Sequence, residues 1–443
     1  MQIDQSTLKR YRRECRADLA QRLAMNAVTA NGVVKSATDV EALKEQVHEY
    51  SLQLKSGAIT NQHHSGRCWM FAALNAMRFG MIKKLNLESF EFSQVYPLFW
   101  DKLEKSNYFL ENILSTLDEA TNSRVIAFLL MSPLGDGGQF DMFAGLVEKY
   151  GIVPKDAMPE TACSMDTHEM DKYLTLKLRE YAAILRGYHH KGVTLAQLRE
   201  RKDAMLSTIY RMLTICLGFP PETVSLLAHD KDDKLIRDEN LTPQAFYKKY
   251  VGWDLNDYVS LINAPTADKP YGKPYTVRFL GSVHEARPVR YLNLPIQELK
   301  RAAIAQMQDN EPVWFGCDVG QSSLREQGVM DVASLALEQL FGTDFPLTKE
   351  ERLDYGESLM THAMVLQGVH LDDQGRPQRW RVENSWGKDR GKDGYYLMSD
   401  DWFSQYTYQV VVHKKYLSEE QRKQCEDELT VLEPWDPMGS LAK

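Results

Sequence analysis

From Cys68 onward, apolar side chains recur at helical spacing: Met70, Leu74, Met77 and Met81 form one line, with Phe71 and Ile82 beside it. This periodicity predicts an amphipathic, central helix whose start is marked by Gly66-Arg67. Residues 4–25 read as a polar helix and 37–48 as a second short one. A glycine-rich turn, Pro133 to Gly138, precedes a helix running through Phe143, Leu146 and Val147 to Lys149. Residues 168–187 and 195–217 form a helical pair, ended by Gly218 and the breaker Pro220-Pro221. Residues 263–295 carry many Pro and Gly and short β-prone runs such as Tyr275 to Phe279, and 296–308 return to helix.

Strand patterns dominate the last third: Val313 to Phe315, Ala363 to His370, Arg379 to Glu383, Gly394 to Met398 and Gln409 to His413. Helices followed by mostly antiparallel strands predict an α+β arrangement. No internal repeat is visible. The tail from Val431, with Pro434 and Pro437, is expected to be an extended arm because proline interrupts a helix.

Composition narrows the class of protein. With 443 residues the chain can bury a sizeable core, and 43% hydrophobic against 26% charged residues is ordinary for a globular protein. A formal net charge of −8 makes nucleic-acid binding an unfavoured function. No apolar run approaches a membrane span. The first 22 residues, with Lys9, Arg10, Arg12, Arg13, Glu14 and Asp18, read as a solvated helix and not as a signal peptide. Cysteines stand at 15, 68, 163, 216, 317 and 425, without metal or redox spacing, which points to a reducing, cytoplasmic compartment. Five of them read as inert, packed thiols.

Cys68 is the exception. It stands at a predicted helix start, where the field of the helix favours a thiolate, the reactive form of cysteine. Gln62 lies six residues upstream, and far downstream come Thr361-His362-Ala363 and Glu383-Asn384-Ser385-Trp386-Gly387. In a thiol hydrolase Cys68 attacks, His362 takes the thiol proton and holds an ion pair at rest, and Asn384 fixes the ring. Gln62 and the backbone N–H of Cys68 receive the oxyanion, and Trp386 covers the His–Asn bond. His370 reads as a satisfied strand histidine. His63-His64 and His189-His190 lack further ligands, so no metal and no cofactor is expected.

These motifs, in this order, resemble the papain superfamily, and more closely the bleomycin hydrolase/aminopeptidase C group of cytosolic thiol aminopeptidases. Asp136-Gly137-Gly138-Gln139-Phe140 and the terminal Glu433-Pro434-Trp435-Asp436-Pro437-Met438-Gly439 resemble that group too. The resemblance implies a two-lobed papain-like α+β fold, with Cys68 as nucleophile, His362 as base, Asn384 as orienting residue and Gln62 as oxyanion donor. It makes Gly137-Gly138 the backbone edge that binds an extended substrate. It implies a homohexamer with internal active sites, and a C-terminal arm in the cleft whose end, Ala442-Lys443, meets the free amino group of a peptide substrate.

Secreted papain-like enzymes carry Cys-Gly-Ser/Ala-Cys at the nucleophile, whereas this chain has Ser65-Gly66-Arg67-Cys68. The partner half-cystine before the Gly-Gly edge is replaced by Gly135, as expected where disulfides do not persist. Cys68 also stands too near the start to follow both a signal and a long propeptide. His362 lies about 290 residues beyond Cys68, against about 130–150 in papain and cathepsins, so a large insertion is expected. The division is then 1–163, a helical lobe with the nucleophile; 164–295, a mainly helical insertion with oligomer contacts; 296–430, a β lobe with His362 and Asn384; and 431–443, the arm. The expected activity is release of N-terminal residues from peptides. Its rivals are an endopeptidase or general amidase on the same residues, and a nucleic-acid-binding protein with an incidental hydrolase site.

Overall fold

The computed structural model describes residues 2–55 and 57–442. Helices dominate the first half, and a 12-stranded mixed sheet spans the second. Three strands form its spine. Val313–Cys317 pairs antiparallel with His362–Leu371 on one side and with Thr407–His413 on the other. Pro377–Glu383 and Tyr395–Ser399 extend the sheet beyond His362–Leu371. The spine is buried on both faces, which suits its β-branched and aromatic residues.

The predicted helix at Cys68 spans Cys68–Lys84, but it is not amphipathic. Thirteen of its 17 residues are buried, Asn75 and Arg78 included, so it runs through the core with helices on one side and sheet on the other. A helix surrounded by protein needs no polar face. The helical pair appears as His168–His189 and Leu195–Leu217, and the later helix as Ile296–Gln308. The N-terminal polar helix is two, Gln5–Ala17 and Leu19–Asn31, because Asp18 is extended and its side chain caps the second by accepting from Gln21 N–H.

A 21-residue helix, Val95–Ser115, escapes the periodicity reading. It buries Asp101, Lys102, Glu104 and Lys105 along with its apolar residues, and those charges break the apolar line. The stretch 164–295 is also less helical than expected. It contains the hairpin Val224–His229/Leu235–Leu241 and three strands that join the main sheet. One of them, Tyr258–Ile262, pairs directly with Thr407–His413.

The expectation of a wholly extended arm is corrected. Thr430–Leu432 forms a short strand parallel to Tyr275–Val277, but Pro437–Ala442 is a 3-10 helix. Proline is tolerated at a helix start, where its missing N–H has no partner to lose, and Asp436 caps the turn by accepting from Met438 N–H at 2.8 Å. The arm is docked. Met438 and Leu441 are buried, Asp436 pairs with Lys269 at 2.9 Å, and the Arg124 guanidinium lies 3.6 Å from the centre of the Trp435 ring.

Candidate active site

Cys68 is the first residue of its helix, so its backbone N–H is among those with no intrahelical acceptor. His362 is the first residue of its strand, and Asn384 follows the end of the next one. Cys68, Gln62, Gly137, His362 and Trp386 line one cleft of about 860 Å³, together with Asp318, Arg325, Arg390, Ser440 and Leu441. The sheet brings the downstream motifs together, because the strands bearing His362 and Glu383 are antiparallel neighbours.

His362 Nε2 lies 3.0 Å from Asn384 Oδ1, both residues being buried. This bond occupies Nε2 and leaves Nδ1 as the nitrogen available to a thiol proton. The Trp386 ring packs over the imidazole with centroids 4.8 Å apart. Gln62 is pinned at four points, one being its backbone oxygen, which accepts from Ser65 Oγ at 2.6 Å. Its backbone N–H donates to Ser385 O at 2.8 Å, its Nε2 donates to Ser65 O at 2.6 Å, and its Oε1 accepts from Ser385 Oγ at 2.6 Å. A side-chain amide has two N–H groups, so the second remains for an oxyanion.

Burial governs the titration of the pair. It pushes the Cys68 thiol up to about 11, with Ala363 and Trp69 backbone hydrogen bonds opposing. It pushes the His362 imidazole down to about 4, with the Asn384 bond opposing. Each group taken alone therefore favours its neutral form. The physical reason is desolvation: a single buried charge is penalised, whereas moving one proton within the pair leaves the net charge unchanged.

Three residues to which the motif reading gave no role complete the site. Ser385 bridges Gln62 and Asn384, since its N–H donates to Asn384 Oδ1 at 2.8 Å while its hydroxyl holds Gln62. Arg78, on the Cys68 helix, pairs with Glu383 at 2.7 Å, both side chains being almost fully buried. That ion pair ties the helix to the residue before Asn384. The only signal was adjacency of Ser385 and Glu383 to Asn384; nothing singled out Arg78.

The binding residues divide. Gly137 lines the cleft, while Gly138 packs behind it, where a Cβ would stand 2.6 Å from the Trp69 ring. Ser440 and Leu441 line the cleft, whereas Ala442 lines a neighbouring pocket with Lys105, Tyr108 and Val277. Lys443 lies outside the described residues. His63 and His64 line the cleft rim, and no group of three or more His, Cys, Asp or Glu able to hold a metal occurs among the described residues.

Comparison with known proteins agrees with this geometry. The model of the peptidase C1-like family matches residues 2–439. The chain is 49% identical to aminopeptidase C of Streptococcus thermophilus over 417 residues, 94% of each chain. It is 41% identical to bleomycin hydrolase of Gallus gallus over 442 residues, covering 98% of this chain and 97% of the relative. A crystal structure of PepW from Lactobacillus rhamnosis HN001 matches with a TM-score of 0.97 at 49% identity, covering 99% of each chain.

The chain belongs to the peptidase C1-like family, and its fold is the papain-like α+β fold. Within that family it is a cysteine-type aminopeptidase of the group that holds aminopeptidase C and bleomycin hydrolase. No helix among the described residues is long and apolar enough to cross a membrane.

Proposed function

We propose that the protein is a cytoplasmic aminopeptidase that releases N-terminal residues from peptides through a thioester on Cys68, with the C-terminal arm limiting cleavage to chain ends. The observation that carries the reading is that Ser440 and Leu441, at the end of a docked arm, line the same cleft as Cys68 and His362. Ser440 Oγ donates to Met360 O at 2.8 Å, two residues before His362, so the arm passes beside the reacting groups. A peptide entering the cleft then has room for little more than its first residue on that side.

The chemistry follows from the residues. His362 Nδ1 takes the proton of Cys68 as Sγ attacks the carbonyl carbon of the first residue, forming the C–S bond. The oxyanion accepts hydrogen bonds from the Cys68 N–H at the helix start and from Gln62 Nε2. When the C–N bond breaks, His362 returns its proton to the leaving amine. Water, deprotonated by His362, then hydrolyses the thioester. Asn384 holds the ring in one tautomer throughout without adding a charge.

Deletion of residues 438–443 tests the arm. The shortened enzyme is expected to cleave N-acetylated peptides and internal bonds while losing activity on free-amine substrates. An undiminished demand for a free amine would overturn the arm's role.

A caged homohexamer is also proposed. Its support is unpartnered surface: the helices Gln5–Ala17 and Leu19–Asn31 bury no residue, and Phe219 and Leu227 are 79% and 70% exposed. Light scattering should give about six times the 50.9 kDa chain mass, and a stable monomer at micromolar concentration would contradict it.

A further inference from the structure

Two buried lysines that the reaction above does not use aim at the cleft's glycine edge. Lys102 and Lys105 lie on the helix Val95–Ser115, their side chains only 0% and 7% exposed. Lys105 Nζ donates to Gly137 O at 2.6 Å, to Gly135 O at 3.0 Å and to Asp101 Oδ2 at 2.7 Å, which uses all three of its hydrogens. Lys102 Nζ donates to Gly135 O at 3.1 Å and to Asp136 Oδ1 at 2.7 Å, and stands 2.8 Å from Asp171 Oδ1.

The loop then reaches both flanks of Cys68. Asp136 Oδ2 accepts from Gly66 N–H at 2.7 Å and from Thr167 Oγ1 at 2.5 Å, while the backbone oxygen of Asp136 accepts from the Trp69 indole N–H at 2.7 Å. A Cβ at Gly66 would stand 2.6 Å from that of Asp136, so the approach is as close as backbone allows. One continuous set of hydrogen bonds therefore joins two ammonium groups, the Gly137 edge, and the residues on both sides of Cys68 in sequence.

Packing alone does not call for this arrangement. Apolar side chains of similar volume often stabilise a fold as well as buried ion pairs or better. What an ammonium adds is direction, because charge-assisted bonds fix carbonyl and carboxylate orientation. We infer that Lys105 and the Lys102–Asp136 pair are positioning residues for the reaction, holding the Gly137 edge and the turn before Cys68 at one spacing. This deepens the aminopeptidase reading and rests on it only for which part of the substrate meets the edge.

The test removes charge without stranding an ion. In the double variant Asp101→Asn/Lys105→Gln, KM for a free-amine aminoacyl amide should rise about tenfold, as expected when a binding edge shifts by a fraction of an ångström. Alkylation of Cys68 by iodoacetamide should change less than about twofold, because that reagent needs the thiol and not the edge. Lys105→Arg keeps a cation there and should recover most of the KM. Asp136→Asn keeps an acceptor for Gly66 N–H but weakens the hold of Lys102, and should lower kcat severalfold with the fold retained. A double variant with reduced melting temperature and unchanged KM would reduce Lys105 to a structural role. Equal loss of alkylation and turnover would also overturn the inference. If the double variant does not fold, wild-type kcat and KM in Asp136→Asn would overturn the Asp136 part. Failure of the aminopeptidase reading itself would appear separately, as wild-type cleavage that ignores a free amine.

Discussion

The two walls of the cleft hold their groups by different means. The wall that carries Cys68 is tied by ammonium and guanidinium groups: buried Lys102, Lys105 and Asp101 with half-buried Asp136 under the glycine edge, and buried Arg67 paired with Glu160 at 3.1 Å beside the turn before Cys68. His362 on the other wall is touched by an amide and an indole, with Ser385 and Gln62 behind them, while the charges there stand off the ring: Arg325 lies 5.3 Å from the centre of the Trp386 ring, and Asp318 accepts from Thr361 Oγ1. The contrast has a physical reason. A fixed charge can orient a loop whose role is to stay still, but a charge against the imidazole would bias the proton that the reaction must move. A neutral asparagine orients the ring and leaves that balance to the pair itself. The Arg78–Glu383 bridge runs between the walls.

Cutting that bridge should give the largest effect on the fold. Arg78→Met leaves the Glu383 carboxylate buried without its guanidinium, and breaking such a pair costs about 3–5 kcal/mol. The measurement is the shift of the urea midpoint, and activity should fall with it because Glu383 precedes Asn384. A midpoint unchanged from wild type would mean that the sheet alone sets the register of the two walls.

Next comes the catalytic contribution of the residues around His362. Gln62→Ala should lower kcat by about 100- to 1000-fold at nearly constant KM, the usual cost of one oxyanion donor. Ser385→Ala should show a weaker version of the same kcat defect, since Gln62 keeps its other three hydrogen bonds. A loss confined to KM in Gln62→Ala would place Gln62 in substrate binding instead.

The smallest effect concerns protons. The imidazole titrates near 4 in the fold, below its ordinary 6.5, chiefly through burial. Between those two values the unfolded chain binds a proton that the folded chain refuses, so stability falls as pH drops through that window. Relative to a Cys68→Ala/His362→Gln control, Cys68→Ala should lose about 2 kcal/mol more between about pH 7 and 5. Parallel pH profiles of the two variants would show that the ring is protonated in the fold at no cost.

Much of this was legible in the sequence, and what was not has identifiable causes. The strands around His362 and Asn384 follow from β-branched and aromatic runs, and the Ile296–Gln308 helix matches its expected bounds. The helix Val95–Ser115 was hidden because it buries Asp101, Lys102 and Lys105, which serve the cleft edge. The roles of Arg78 and Ser385 were hidden because they depend on register between distant segments, such as Gln62 against Ser385, which no local pattern encodes. The arm's last turn was hidden because Pro437 starts a 3-10 helix where it was expected to prevent one.

The proposed mechanism requires that Cys68 carry a single amino-acyl residue midway through each turnover. Rapid acid quench during cleavage of an aminoacyl amide, followed by digestion and mass spectrometry, reads this directly. The peptide containing Cys68 should gain the mass of one amino-acyl group, and the adduct should be lost to hydroxylamine and absent from Cys68→Ser. An adduct on another residue, or a longer acyl group from an internal bond, would contradict it.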